Sequence, residues 1–140
     1  MKRFRGYSST QKGMTIIEFT LVSVLFMFMI CSIIEGARYV YSNGALSHLA
    51  REGARYAAVR GSQAVKDPLR SSDAPATEST ISAFVQSRSP INNVTTSVVW
   101  SPDNSPGSEV DVTVSHDFSS FITLFNDVTI SSTASSTIYF

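Results

Sequence analysis

Cysteine, histidine and any excess of charge are all scarce in this chain of 140 residues, and each scarcity excludes something. A single cysteine, Cys31, rules out an intramolecular disulfide; lying in an apolar run, it reads as a small buried apolar residue. Lys plus Arg equal Asp plus Glu, at 11 each. The balance is uneven, because Lys2, Arg3, Arg5 and Lys12 precede the apolar run and no acid does. Without those four, 7 basic residues face 11 acids, a net charge of −4. That sign excludes the basic surface a nucleic-acid partner needs. There is no phosphate-cradling glycine loop, no CxxC and no HExxH. Ser115, His116 and Asp117 are consecutive, and consecutive strand residues point to opposite faces, so they cannot form a nucleophilic triad by themselves. His48 and Glu52 share a helix face at i, i+4, but two ligands without a third make a poor metal site. These residues specify no enzyme, no cofactor and no metal centre.

What the chain has in quantity is apolar length. Residues 14–34, MTIIEFTLVSVLFMFMICSII, form a run of 21 with one charge, Glu18. As a helix this run spans about 31 Å, close to the hydrocarbon thickness of a bilayer. The basic flank lies on its N-terminal side, which predicts residues 1–13 in the cytoplasm and residues 35–140 outside. A cleavable secretory signal fits poorly, since no A-x-A pattern follows Ile34. A lipoprotein reading of Cys31 is disfavoured by bulky Ile30 just before it.

The leader ends in Lys12-Gly13, and Glu18 is the fifth residue after Gly13. A short basic leader, a glycine and a glutamate five residues on resemble the signal of type IV prepilins. The resemblance implies cleavage after Gly13 by a prepilin peptidase, leaving Met14 first in a mature chain of 127 residues. Glycine suits the scissile position because it lets the backbone enter a cleft extended. A carboxylate inside an apolar helix costs about 2.5–3.5 kcal/mol and so needs a partner. Cleavage creates one, the α-amine of Met14, and the resemblance implies that Glu18 faces that amine on a neighbouring subunit during assembly.

No proline occurs before Pro68, so the helix need not stop at the membrane surface. Residues 35–60, EGARYVYSNGALSHLAREGARYAAVR, favour helix, with Gly61 as a plausible C-terminal stop. A helix from Met14 to Arg60 is roughly 70 Å long. Small residues recur every four positions: Ala50, Ala54 and Ala58 in one row, Gly53, Ala57 and Gly61 in the next. Such rows allow close helix packing, although alanine also favours helix for its own sake. GMTIIEFTLV at 13–22, IIEGARYVY at 33–41 and LAREGARYAAVRG at 49–61 resemble the TadE-like family, minor pilins or pseudopilins of the tight-adherence (Tad, Flp or type IVc) pilus system.

Beyond Gly61, residues 61–77 read as a loop containing Pro68 and Pro75. Ile81, Phe84 and Val85 recur at i, i+3, i+4, predicting a short helix over about 77–87 that Pro90 ends. The period then becomes two. Val94, Val98 and Trp100 share a face; so do Val110, Val112 and Val114; so do Val128, Ile130, Ala134 and Ile138. One wet and one buried face predict an antiparallel three-stranded meander. Between the second and third strands, Phe118, Phe121, Ile122, Leu124 and Phe125 either complete a thin core or form a partner-binding patch.

The expected fold is therefore α+β: a long N-terminal pilin-like helix, a short second helix and a small antiparallel three-stranded sheet. The expected organisation is a cleavable leader at 1–13, a transmembrane part at 14–34, an extracytoplasmic helical part at 35–61 and a small α+β domain at 62–140. The resemblance implies a single-pass protein of the bacterial inner membrane. Its expected partners are a prepilin peptidase, other pilins or pseudopilins, the Tad inner-membrane assembly machinery and membrane lipid. The expected site residues are Gly13 and Met14 for cleavage, Glu18 for assembly, and Ala50, Gly53, Ala54, Ala57 and Ala58 for helix packing. Two alternatives stay open at this point: a pseudopilin of a type II-like secretion or DNA-uptake machine, and a signal-anchored binding module that never polymerises.

Overall fold

The computed structural model describes residues 12–69, 71–121 and 127–140. Its elements are α1 (Lys12–Ala58), a 3-10 turn (Ala64–Lys66), α2 (Glu78–Arg88), β1 (Val94–Ser101), β2 (Glu109–Phe118) and β3 (Val128–Thr137). The fold is α+β, with one antiparallel sheet in the order β1-β2-β3. The described residues fall into two compact units, one ending at Gly36 and one covering Ala37–Phe140.

In the first unit, α1 is apolar and exposed on all sides. Its most apolar stretch has a mean hydropathy of 2.4 with none of it buried, and it is long enough to cross a membrane. The hydroxyls within the run are reconciled with apolar surroundings by the helix itself. Thr20, Ser23 and Ser32 donate to the carbonyls of Ile16, Phe19 and Phe28, each at 2.8 Å. Cys31 is exposed on this helix. The expectation of a buried residue is corrected: among the described residues, none covers Cys31. The leader residues 1–11 lie outside the described residues.

In the second unit, the core forms where α1, α2 and one sheet face meet. Leu46, Leu49, Ala50, Ala54 and Ala57 supply it from α1, at the three- and four-residue steps of one helix face. Ile81 and Val85 supply it from α2, and Val98, Val110, Val112, Val114 and Ile130 from the strands. The strand alternation is as expected: in β2, Val110, Val112 and Val114 are buried while Glu109, Asp111, Thr113 and Ser115 face the other way. Val128 keeps its phase but lies exposed at the start of β3. α2 starts at a capping box, in which Thr77 Oγ1 accepts from the Thr80 N–H and Thr80 Oγ1 accepts from the Thr77 N–H.

Two boundary readings change. α1 ends at Ala58 and not at Arg60. Gly61 is not a left-handed helix stop; it is small because the C-terminal segment crosses it, and a Cβ there would run into the Phe140 carbonyl oxygen and the Ile138 side chain. That crossing is fixed by a bond from the Tyr139 N–H to the Ala58 carbonyl at 2.9 Å, which satisfies one of the helix's orphan carbonyls. β2 also runs on to Phe118, past the His116 where its alternation ceases to be obvious.

Candidate functional site

The prepilin-like residues sit at the start of α1. Gly13 and Met14 fall in its first turn, where backbone N–H groups have no acceptor within the helix. No atom approaches within 4 Å of the place a Gly13 Cβ would occupy, and Met14 is 79% exposed. The bond between them lies in the helix's first turn. Glu18 follows Met14 by four residues, on the same helix face and one turn deeper, and is exposed. An ionised carboxylate only accepts hydrogen bonds, and the nearby Thr20 and Ser23 hydroxyls already donate to carbonyls. No cation occurs between Met14 and Ile34.

The small-residue rows are placed elsewhere, in the second unit. Ala50, Ala54, Ala57 and Ala58 are all at most 1% exposed. Gly53 is a tight point within the helix: a Cβ there would lie 3.1 Å from both Val112 Cγ1 and Val85 Cγ2. The rows thus let α1 approach its own sheet and α2 closely. Sequence alone did not indicate which surface they serve, because a small-xxx-small row reads the same against a helix or a sheet.

An aromatic stack that sequence reasoning missed pins α2 to α1. Tyr56 of α1 stacks on Phe84 of α2, with ring centroids 4.3 Å apart and planes 20° apart. Arg60 lies over Tyr56 at 3.9 Å and Arg88 lies over Phe84 at 5.3 Å, so the pair is flanked by cations. A second cluster joins Arg38 and Tyr39 to Phe118, the latter edge-to-face at 5.8 Å. Phe118 is buried at 7% exposure, so this phenylalanine completes the core. Phe121 is 87% exposed with Arg38 over its ring at 5.4 Å, while Ile122, Leu124 and Phe125 lie outside the described residues. The pattern of alternate strand residues extended past His116 could have found Phe118; nothing local in the sequence marked the Tyr56–Phe84 pair.

The dismissed constellations point to separate partners. Ser115 donates to the Thr95 carbonyl at 3.5 Å, His116 Nδ1 lies 3.3 Å from the Asn93 carbonyl, and Asp117 accepts from Thr129 at 2.7 Å. Among the described residues no three His, Cys, Asp or Glu side chains gather as metal ligands would. Asp103, in the β1–β2 turn, accepts from the Ser108 hydroxyl at 2.9 Å and the Ser105 N–H at 3.0 Å. Those bonds, the Ser108 hydroxyl foremost, hold its carboxyl below the usual carboxylate range.

Residues 13–55 match the family model described as TadE-like protein, the family that the segments from Gly13 onward resemble. The match takes in Gly13, Met14, Glu18 and, of the small-residue rows, Ala50, Gly53 and Ala54. No curated protein matches the chain, and no solved structure does.

Proposed function

We propose that this chain, TadE-like over residues 13–55, is a minor pilin or pseudopilin that supports assembly of a Tad (Flp, type IVc) pilus. In this reading a prepilin peptidase on the cytoplasmic face of the bacterial inner membrane cuts after Gly13. The helix stays in the membrane, with the sheet-bearing unit outside. Glu18 then accepts the new α-ammonium of Met14 from a neighbouring pilin. The observation that carries the reading is one carboxylate, four residues after Met14, in an apolar run (residues 14–34) that holds no cation. Residue spacing and helix exposure support each other here: the scissile bond lies in the first turn of the helix, and the acid lies one turn further along.

The partners follow from that chemistry. They are the peptidase, other pilins or pseudopilins, the Tad inner-membrane machinery that extracts them, and lipid around α1. Mass spectrometry of protein extracted from membranes of cells with the peptidase should place the N-terminus at Met14. Intact residues 1–13 in such cells would overturn the proposal.

A further inference from the structure

The outer edge of β3 is ten residues long and lacks charge, proline and a bulge, three of the devices that protect a sheet edge. Its sequence, VTISSTASST, contains no Lys, Arg, Asp, Glu or Pro. Its pairing with β2 is unbroken from Val128 opposite Phe118 to Thr137 opposite Glu109, so no bulge turns it away. An edge strand leaves about half of its backbone N–H and C=O groups without partners in the sheet, a ready template for another strand. β1, at the opposite edge, is also uncharged from Val94 to Ser101.

The direction of α1 decides which pairing these edges can make. Tyr39 meets Phe118 at the end of β2, and Ser132, midway along β3, donates to Ser47 at 3.1 Å. Gly53 lies against Val112, and Ala58 accepts from Tyr139 just beyond β3. From Ala37 onward, α1 therefore runs with β3 and against β2. Antiparallel pairing of two β3 edges requires a two-fold axis normal to the sheet, which would turn one copy's α1 end for end. Copies whose helices from Ala37 onward all point one way, as the pilin reading requires, cannot meet that way. β1 and β3 run in the same sense, both antiparallel to β2. Pairing β3 of one copy with β1 of the next keeps every α1 pointing the same way.

We propose that copies of this chain join head to tail by parallel pairing of β3 in one copy with β1 in the next, extending one sheet across subunits. The inference rests on the reading of the chain as a membrane-anchored pilin that assembles. Main-chain hydrogen bonds supply the attraction, and the uncharged edges bring no like charges together. Because the contact is between different surfaces and does not close, it builds a row.

The test is disulfide trapping in the full-length chain, starting from Cys31→Ser, which removes the only cysteine. Ser97 and Thr133 both pair with Thr113, so they face one another across an unstaggered junction. Strand spacing of about 4.8 Å lies within the roughly 4.4–6.8 Å that a disulfide accepts between Cα atoms. Ser97→Cys is combined in turn with Thr129→Cys, Ser131→Cys, Thr133→Cys and Ser135→Cys, which covers staggered junctions. One combination should give a ladder of dimers, trimers and larger species in oxidised membranes, and neither of its single variants should. Moving the first cysteine to exposed Ser87 on α2 should remove the ladder. Adding Ser131→Lys, or Thr133→Lys where position 131 carries the cysteine, should abolish the ladder in protein that still unfolds cooperatively in urea. A dimer from Thr133→Cys alone, no ladder from any combination, or trapping only to a different pilin would each overturn the proposal. The N-terminus, read from the same membranes, separates the two failures: processed protein without a ladder refutes only this junction, whereas intact residues 1–13 refute the reading beneath it.

Discussion

Gly53 and Gly61 stand in one small-residue row, yet replacing each by alanine should have different consequences. At Gly61 the new methyl meets backbone: the Phe140 carbonyl oxygen first, with its carbon at 3.1 Å, and the Ile138 side chain. The two residues leading into Phe140 are tied. Ile138 donates to Ser108 at 2.8 Å and accepts from Gly107 at 2.9 Å, and Tyr139 donates to Ala58 at 2.9 Å. Overpacking a site that cannot yield costs about 1–3 kcal/mol. Displacing the C-terminal segment also forfeits the Tyr139–Ala58 bond, roughly another 0.5–1.5 kcal/mol. Gly61→Ala should therefore lose about 2–4 kcal/mol. At Gly53 the methyl meets only the tips of Val112 and Val85, both at 3.1 Å, which can shift by a few tenths of an ångström. Alanine gains about 1 kcal/mol of helix propensity there, so Gly53→Ala should stay within about 1 kcal/mol of the parent. Urea unfolding of the full-length protein in detergent, followed by the fluorescence of Trp100, its single tryptophan, measures both. A Gly61→Ala midpoint equal to the parent's, or a Gly53→Ala midpoint that falls as far as that of Gly61→Ala, would refute the packing argument.

Gly44 has nothing within 4 Å of its Cβ position, so Gly44→Ala should raise stability by up to about 1 kcal/mol in the same assay; a fall would mean that the helix needs the glycine for itself. Asp103 has a folded pKa held below its unfolded value, so its contribution is complete above about pH 3.9 and is lost as pH falls through the lower folded value. Asp103→Asn should accordingly be less stable than the parent at neutral pH and converge with it on acidification; a deficit equal at pH 7 and about pH 2.5 would contradict the linkage. Glu18→Gln removes the charge but keeps the shape, and it should leave membrane insertion intact while piliation is lost. Normal piliation by that variant would remove the role given to the carboxylate.

The sheet was legible because each strand alternates cleanly. Val110, Val112 and Val114 cannot all be buried in any other period, and the Pro102–Gly107 connection leaves room only for a tight return. The apolar half of α1 was legible for the opposite reason, since an unbroken run has no wet face to hide. Readings failed where a residue answers to something distant in the chain. Gly61 follows a helix and so looked like its stop, yet what it accommodates is Phe140, 79 positions away. The Thr77 cap closes with Thr80 where a glutamate or glutamine is the usual signal, and the 3-10 turn Ala64–Lys66 sits in a segment whose prolines suggested only loop. For the candidate site, the spacing of Gly13 and Glu18 was fully visible, whereas the surface met by the alanines was not.

That last distinction constrains where assembly contacts can form. From Leu46 to Ala58, α1 commits its narrow face to its own sheet, with Ala50, Ala54, Ala57 and Ala58 already buried. Those residues cannot also line a contact with another subunit's helix. The glycines still open on α1 are Gly13, Gly36 and Gly44, each with nothing within 4 Å. In a helix interior, Gly36 and Gly44 each cost about 1 kcal/mol relative to alanine, and no contact within the chain offsets that loss. The pilin reading therefore expects close small-residue contact between subunits on α1 ahead of Leu46, the stretch that also holds Glu18. Alanine at Gly36 or Gly44 that stabilises the isolated protein yet impairs piliation would locate the contact there. If both variants assemble normally, neither glycine is kept for a neighbouring helix.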